Sequence, residues 1–283
     1  MDTCNENSAT AYKVAQREKL TIVKVGGAVV EDPEQLAALL ENFSAIPGKK
    51  LLVHGGGRRA TKIAAQLGIE SHMVGGRRIT DAEMLSVVTM VYGGLVNKNL
   101  VAQLQAKGVC ALGLTGADMD VIRSHKRPLK KVKMDDGTEQ MVDFGFVGDV
   151  DYADGDRLAS LLNSGITPVV APLTHDGQGN ILNTNADTMA STVATALAKH
   201  FDVTLIFSFE KKGVLANPDD DESVIPSITR ESFNKYVNDG IISGGMIPKV
   251  ENALAAVEAG VGRVIITLAT KIDGNHGTVI HNA

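Results

Sequence analysis

The stretch Leu20-Thr21-Ile22-Val23-Lys24-Val25-Gly26-Gly27 decides the fold of this chain. Its apolar and β-branched residues predict a buried strand, and the lysine near its end directly precedes paired glycines. A second strand-like run leads into Gly55-Gly56-Gly57, and Gly244-Gly245 comes shortly before Lys249. Because glycine turns expose backbone N–H groups, two lysines beside such turns predict a site for a polyanion such as phosphate.

Strand-like and helix-like segments alternate along the rest of the chain. Asp32 followed by Pro33 predicts a helix start, and Thr80 with Glu83 has the capping-box spacing that opens a long helix. The apolar face of that long helix is predicted to hold Met84, Val87, Val88, Val91 and Leu95. Strands are predicted at residues 21–25, 51–54, 109–114, 167–171, 203–207 and 264–268, and helices beginning near residues 33, 58, 80, 186, 230 and 247. This alternation predicts an α/β fold with a mainly parallel sheet and helices on both faces.

One segment, residues 123–147, interrupts the alternation. Two short alternating runs flank Asp136-Gly137, a pair that is typical of a tight hairpin. The segment therefore predicts an inserted β-hairpin. Five of its basic residues lie close together in the sequence: Lys126, Arg127, Lys130, Lys131 and Lys133. A solvated charge run is the preferred interpretation, and a flap that closes over an acidic substrate is the alternative.

Composition excludes several classes of protein. The 283 residues, 44% of them hydrophobic, are enough for one large α/β domain or two fused lobes. The net charge of −5 argues against nucleic-acid binding, and we expect no apolar stretch to be long enough to span a membrane. The polar, acidic start does not resemble a secretory signal, and Cys4 and Cys110 are too few for a disulfide framework. A cytoplasmic enzyme is predicted.

Five motifs in order, at residues 23–27, 53–57, 76–80, 183–187 and 244–249, carry a resemblance to a known family. From about Leu20 to the C-terminus the chain resembles the amino acid kinase superfamily, and within it the acetylglutamate kinases. The resemblance implies a three-layer αβα sandwich with a tail at residues 1–19, an acylglutamate-binding and dimerisation lobe at 20–178, and a nucleotide-binding lobe at 179–283. It also implies a homodimer that uses ATP with Mg²⁺.

Two lysines and one aspartate are the candidate catalytic residues. Taken alone, Lys24 is typical of a lysine at a strand end and Lys249 of one on a helix surface, but the neighbouring glycines favour an anion site. The resemblance implies that both lysines stabilise the transferring phosphoryl group and that Asp187 holds them in place. A loose phosphoryl-transfer transition state gains from such cations. A carboxylate acceptor is already ionised at neutral pH, so the reaction needs no general base.

The acceptor is predicted to be bound by backbone N–H groups and a guanidinium. The resemblance implies that Gly56 and Gly57 bind one carboxylate, and that Arg78 binds the other through two parallel hydrogen bonds. Asn183 and Asn185 are predicted as further substrate contacts, and Asn185 is also predicted to cap the helix that begins after it. The implied reaction is ATP-dependent phosphorylation of the γ-carboxylate of N-acetyl-L-glutamate to N-acetyl-L-glutamyl 5-phosphate, in arginine biosynthesis.

The nucleotide contacts are predicted from looser matches. Relatives often carry Leu-x-Asp-x-x-Gly-Val-Leu, whereas residues 207–215 lack the aspartate, which leaves Glu210, Lys211 or Lys212 as substitutes. Gly244 also stands where many relatives have an acid. The predicted nucleotide contacts are Gly26, Gly27, Ser208, Lys211, Gly213, Ile242 and Ser243. No clustered carboxylates predict a metal cage, so Mg²⁺ is expected to bind mainly to the phosphates of ATP.

Several alternatives stay open. Another kinase of the superfamily would act on carbamate, aspartate, free glutamate or uridylate. Residues 55–60 fit the G-x-G-x-x-G/A form of a Rossmann fingerprint, but no strand ends on an acid about 20 residues on. A non-catalytic arginine or nucleotide sensor need not keep the two lysines and the aspartate. Within the kinase interpretation N-succinyl-L-glutamate is the alternative acceptor, and the short tail at residues 1–19 predicts a homodimer that arginine does not inhibit.

Overall fold

The computed structural model describes residues 17–133 and 137–282. Its strands are β1 (Lys19–Val25), β2 (Lys49–His54), β3 (Met73–Val74), β4 (Arg77–Arg78), β5 (Ala111–Leu114), β6 (Ile122–Lys126), β7 (Lys130–Lys133), β8 (Glu139–Val142), β9 (Gly148–Ala153), β10 (Thr167–Val170), β11 (Leu173–His175), β12 (Ile181–Asn183), β13 (Asp202–Phe209), β14 (Ser227–Ile228), β15 (Arg263–Leu268) and β16 (Thr278–Ile280). Its helices are α1 (Gly27–Glu31), α2 (Pro33–Ala45), α3 (Gly57–Gln66), α4 (Ala82–Val88), α5 (Asn97–Ala106), α6 (Gly155–Asn163), α7 (Ala186–Leu197), α8 (Arg230–Asn238) and α9 (Met246–Glu258).

Eight strands form the main sheet, in the order β14-β16-β15-β13-β1-β2-β10-β5. The six strands from β15 to β5 run parallel, and β16 is antiparallel to β15. The stretch quoted first is β1, at the centre of the sheet, where β13 and β2 flank it over most of its length. The glycines that follow β1 and β2 therefore lie side by side at the carboxyl ends of these parallel strands.

The strands are buried on both faces, which explains their nearly continuous apolar runs. On β1, Leu20 and Ile22 point into one core with α6 to α9, whereas Val23 and Val25 point into the other with α1 to α5. Because side chains alternate along a strand, the next residue on the first face is Lys24. The sequence prediction of a mainly parallel sheet between two helical layers is confirmed.

The long helix after residue 80 differs from its prediction in two details. It begins at Ala82, and its cap is Asp81, whose side chain accepts a hydrogen bond from the backbone N–H of Met84. The predicted cap Thr80 is instead fully buried. Between α4 and α5 the segment Thr89–Val96 is π-helical, and this wider winding leaves Leu95 39% exposed rather than on the buried face.

The same helix bears on the expectation that no segment could cross a membrane. Residues 82–106 are long and apolar enough to do so by length and composition, so that expectation is wrong on those two measures. Met84, Val87 and Leu104 are nevertheless buried in the second core, as in the core helix of a folded domain. Cys110, predicted within a strand, lies exposed just before β5.

The inserted segment forms a separate antiparallel structure. The strands β7 and β8 pair as the predicted hairpin, and the Asp136 of its predicted turn lies outside the described residues. A second small sheet, in the order β12-β11-β6-β9, joins the insert to the strand that ends at Asn183. A Cβ atom built on Gly75, in the turn between β3 and β4, would lie 3.4 Å from Cγ1 of Val132 on β7. The insert therefore lies close to the short hairpin that holds Arg78.

Candidate active site

Lys24 is a buried cation at the end of the central strand. It is 7% exposed, and its Nζ lies 2.7 Å from Oδ1 of Asp187. Asp187 is placed by the start of α7, where Asn185 caps the helix by accepting hydrogen bonds from the N–H groups of Asp187 and Thr188. The predicted helix start and the predicted cap are both confirmed. An ion pair removed from water to this degree needs a fixed geometry, which the cap supplies.

Lys249 reaches the same place from the first turn of α9. Its Nζ lies 4.1 Å from the centroid of the Phe209 ring, and the Nζ of Lys24 lies 5.2 Å from that centroid. Burial lowers the pKa of the Lys249 ammonium. Lys24 lowers that pKa further, whereas Asp187 and Glu210 raise it. Two cations and one carboxylate thus meet around one aromatic ring.

A cavity of about 420 Å³ opens in front of these groups. Nine residues singled out from the sequence line it: Lys24, Gly26, Gly27, Gly57, Asp187, Ser208, Lys211, Gly213 and Lys249. The remaining lining residues are Ala28, Val29, Arg58, Phe209, Glu210, Met246 and Ile266. Elements from both halves of the sequence therefore contribute to one concave site, as is common for the carboxyl ends of parallel strands.

The two glycine turns abut at the edge of the cavity. A Cβ atom on Gly55 would lie 3.2 Å from the backbone nitrogen of Gly27, and one on Gly56 would lie 2.8 Å from Cδ1 of Tyr92. The second distance is shorter than real Cβ contacts, so a side chain at Gly56 would displace the tyrosine. The N–H of Gly55 donates to the carbonyl of Val25 at 3.0 Å, so the N–H groups of Gly56 and Gly57 are the candidates in this turn for binding an anion.

His54 supports this turn from inside the protein. Its side chain is fully buried, with Nδ1 2.8 Å from the carbonyl oxygen of Gly55 and Nε2 3.1 Å from Nδ2 of Asn97. Asn97 also donates to the carbonyl of Val169. Burial lowers the pKa of His54 to about 4. The ring is therefore neutral at pH 7, with Nδ1–H donating to Gly55 and Nε2 accepting from Asn97.

Arg78 lies close to the second turn but outside the lining of the cavity. Its Nη2 donates to the carbonyl of Gly57 at 3.0 Å and to Oγ1 of Thr61 at 2.8 Å, and its Nη1 donates to Oγ of Ser71. It is carried by the short hairpin β3–β4, whose turn residues Gly75 and Gly76 both have positive φ. The guanidinium is therefore fixed beside the glycine turn.

Asn183 is buried rather than free to reach the cavity. Its Nδ2 donates to Oγ1 of Thr80 at 2.9 Å, and its backbone N–H donates to the carbonyl of Phe146. Asn185 is exposed and is occupied as the cap of α7. The structure thus joins Asn183 to Thr80, shortly before α4, and to Phe146 of the insert.

The predicted nucleotide contacts divide into two sets. Ser208 is fully buried and donates its hydroxyl to the carbonyl of Lys24, so it ties β13 to β1, while Lys211 pairs with Asp221 at 2.8 Å. Two others do not line the cavity: Ile242 packs in the first core, and Ser243 is exposed in the turn before α9.

Two residues of the cavity that could act on a ligand, Arg58 and Phe209, were missed by the sequence analysis. Phe209 carries both lysine contacts, and Arg58 lies 3.5 Å from Glu210, which had been named only as a substitute for a family aspartate. The signal for Arg58 was its place directly after the glycine triplet. The signal for Phe209 was its place two residues after Phe207, on the same face of β13.

Three basic residues of the insert have local carboxylate partners. Lys126 lies 3.7 Å from Asp143, Arg127 pairs with Asp149 at 2.6 Å, and Lys131 pairs with Glu139. Nη2 and Nε of Arg127 both donate to the carboxylate. Cations that already face a carboxylate favour the interpretation of a solvated charge run over that of a substrate flap.

The fold and the site together define a phosphotransferase, since lysines and glycine turns face one cavity at the carboxyl ends of parallel strands. A sequence model described as the amino acid kinase family matches residues 19–268. The chain belongs to that family and, within it, to the acetylglutamate kinases. An acetylglutamate kinase from Bacteroides thetaiotaomicron is 65% identical over 93% of this chain and 99% of its own length.

Solved structures agree with this assignment. The crystal structure of smu.665 from Streptococcus mutans UA159 has a TM-score of 0.73 and 29% identity, and covers 93% of this chain and 98% of its own. A carbamate kinase from Giardia lamblia has a TM-score of 0.63 over 95% of this chain and 99% of its own, and at 15% identity it supports the fold alone. The Rossmann interpretation of residues 55–60 is left without support.

Proposed function

We propose that this chain transfers the γ-phosphoryl group of ATP to the γ-carboxylate of N-acetyl-L-glutamate, giving N-acetyl-L-glutamyl 5-phosphate in arginine biosynthesis. The observation that carries the proposal is the meeting of Lys24, Asp187 and Lys249 at one cavity edged by two glycine turns. Membership in the acetylglutamate kinases supports the choice of acceptor.

The chemistry follows from the charges at the site. The acceptor carboxylate attacks the γ-phosphorus, the bond from that phosphorus to the bridging oxygen breaks, and ADP leaves. Negative charge spreads over the peripheral oxygens of the phosphoryl group, where Lys24 and Lys249 stabilise it. The neutral, hydrogen-bonded His54 is not available as a base, and an ionised carboxylate needs none.

Mg²⁺ enters this proposal as part of the nucleotide substrate. Within residues 17–133 and 137–282, no three His, Cys, Asp or Glu side chains cluster in a way that could hold a metal ion. The two carboxylates of the cavity, Asp187 and Glu210, each face a cation. Residues of this kind fit an ion that is held mainly by phosphate oxygens and water.

The two ends of the cavity suggest which part binds which substrate. We assign the acceptor to the side of the cavity at Gly57, next to which Gly56 and Arg78 lie outside the lining, and the nucleotide to the side of Ser208, Lys211 and Gly213. The first set belongs to the predicted lobe 20–178 and the second to the predicted lobe 179–283, with the transferred phosphoryl group between them at Lys24. A cytoplasmic location fits a substrate pair of this kind.

ADP release from ATP tests the proposal. N-acetylglutamate, N-succinylglutamate, free glutamate, aspartate and carbamate are compared side by side with the purified chain. We expect the highest kcat/KM for N-acetylglutamate, because Lys126, Arg127 and Lys131 of the insert already face carboxylates and a buried second carboxylate without a partner is costly. A higher kcat/KM for any other acceptor would contradict the proposed substrate.

Variants locate the activity in this site. Lys24→Ala and Lys249→Ala should each lower kcat by about 10²–10³-fold with a smaller change in KM, because their charge is used chiefly in the transition state. Lys199→Ala, which removes an exposed lysine beyond the end of α7, is the matched control and should leave kcat unchanged. Turnover near that of the wild type in either site variant would remove the role given to that lysine.

A further inference from the structure

The ring of Phe209 lies near both lysines of the cavity. The Nζ atoms of Lys249 and Lys24 lie 4.1 Å and 5.2 Å from its centroid, both within the range of a cation–π contact. The ring also lines the cavity, and it is half-buried rather than enclosed in the core. It therefore touches both cations at the edge where a phosphoryl group would be bound.

The position of this ring is fixed from two sides. On β13 the alternation of side chains puts Phe207 and Phe209 on the same face, and their rings stack with centroids 6.2 Å apart and an interplanar angle of 17°. Phe207 itself is buried in the core. The backbone carbonyl of Phe209 accepts a hydrogen bond of 3.0 Å from Ala269, which joins it to the end of β15. A ring held in this way is a rigid surface for the lysines.

The charges around Lys249 explain why such a surface matters. Asp187 lies 2.7 Å from Lys24 and forms its ion pair there, so Lys249 feels that carboxylate at a longer range. The other groups that act on Lys249 are the repelling Lys24 and the attracting Glu210. A half-buried ammonium with a like charge nearby needs a further stabilising contact, and the negative face of an aromatic ring supplies one without an anion that would compete with phosphate.

We propose that Phe209 is a positioning residue for phosphoryl transfer, which holds the Lys249 ammonium, and more weakly the Lys24 ammonium, over the cavity through the face of its ring. The inference rests on the proposed function for its catalytic consequence. The ring has a role that neither the two lysines nor Asp187 can perform. It keeps Lys249 charged and directed at the phosphoryl group before the substrates bind.

The test compares aliphatic and aromatic replacements. Phe209→Leu removes the ring and keeps an apolar side chain, whereas Phe209→Tyr keeps the ring. We expect the leucine variant to lose about tenfold in kcat, with KM for ATP changed less than about twofold, and the tyrosine variant to recover most of that loss. Phe233→Leu is the control, since it truncates a phenylalanine that is buried in the same core but does not line the cavity.

A second measurement does not depend on turnover. Lysines are acetylated by a limiting reagent at a series of pH values, and the extent at Lys249 is read by mass spectrometry. Because the ring stabilises the charged form, its removal should move the titration of Lys249 down by about one pH unit in Phe209→Leu, and not in Phe209→Tyr or Phe233→Leu. Phe209→Met repeats both measurements if the leucine variant does not fold.

The outcomes separate this inference from the proposed function. Wild-type kcat and an unchanged Lys249 titration in Phe209→Leu would overturn the inference while leaving the kinase intact. Equal losses in the leucine and tyrosine variants would also overturn it, since packing rather than the ring face would be responsible. If the wild type released no ADP with any acceptor, the proposed function would fail, and the Lys249 titration would still decide whether the ring holds this ammonium.

Discussion

At the scale of single residues, the burial of His54 couples proton uptake to unfolding. A histidine in the unfolded chain titrates near pH 6.5, whereas the folded protein lowers the pKa of His54 to about 4. The lowered value means that the unfolded chain binds the proton first as pH falls. The contribution of His54 to the free energy of unfolding is therefore fully present above pH 6.5 and is lost progressively between pH 6.5 and pH 4.

We expect this loss to reach about 3 kcal/mol of unfolding free energy. Urea unfolding at pH 7, 5.5 and 4 measures it in the wild type and in His54→Gln, which does not titrate in this range. The glutamine variant should be less stable at pH 7 and lose less stability on acidification. Parallel stability curves for the two proteins would show that folding does not lower the pKa of His54.

Arg78 and its neighbour Arg77 provide a second residue-scale test. Arg78 is held beside the Gly57 carbonyl by hydrogen bonds, whereas Arg77 is exposed on the same short strand. Because a carboxylate clamp serves ground and transition states alike, Arg78→Ala should raise KM for the acylglutamate about tenfold or more with a smaller change in kcat. Arg77→Ala should change neither. Exchanged effects would place the substrate contact one residue earlier.

Residues differ in how far their surroundings can be predicted from the sequence. Lys24 was predictable because a lysine at the end of an apolar strand and before glycines has few structural explanations. The contact of Phe209 with Lys249 was not, because it depends on how α9 packs against β13, and this arrangement leaves no local pattern. Ile242 fits the same lesson, since its position near the glycine pair suggested a ligand contact but its side chain fills the core.

At the scale of elements, the cap of α7 links stability to the site. Asn185→Ala removes two accepted hydrogen bonds at the helix start and should cost about 1 kcal/mol of unfolding free energy. Since Asp187 lies in the first turn, the variant should also lower kcat. Asp154→Ala removes the matching cap of α6 and should cost a similar amount with no effect on kcat. Thermal unfolding and steady-state rates measure both effects, and equal kcat losses would contradict the link.

The start of a helix was predictable where only one residue is a strong candidate for the N-cap. Asp32 before Pro33 has no strong competitor as a cap, and α2 begins there. At residue 80 two candidates compete, because both Thr80 and Asp81 can cap a helix. Asp81 takes that role because Thr80 is buried, where its hydroxyl accepts a hydrogen bond from Asn183. That contact spans 103 positions of sequence, so no local pattern contains it.

At the scale of the whole molecule, the layered fold was predictable because alternation of strands and helices admits few arrangements. The small sheet β12-β11-β6-β9 was not, since its strands are short and come from distant parts of the chain. The assembly remains a prediction. We expect a homodimer that arginine does not inhibit, and the exposed apolar side chains Met90, Leu95 and Leu112 on the long helix and the neighbouring edge strand β5 are suited to such an interface.

Light scattering after size-exclusion chromatography measures the assembly. We expect a mass of about twice 29.8 kDa for the wild type. Leu112→Lys should shift the population toward the monomer, because a charge on the edge strand opposes pairing. Leu129→Lys, at a side chain that is 61% exposed in the insert, is the control and should leave the mass unchanged. A wild-type monomer or hexamer, or inhibition by arginine, would contradict the prediction.

The π-helical segment Thr89–Val96 has a consequence for tolerance to the loss of a codon. A π-helical turn holds more residues than an α-helical turn, so removing one residue here lets the segment wind as an α-helix while both flanks keep their faces. Deletion of the exposed Met90 should therefore preserve the fold. Deletion of Gln103, within regular α5, would instead rotate everything beyond it by about 100° and expose Leu104. Of these two deletions, only that of Met90 should shorten the helix and keep the fold.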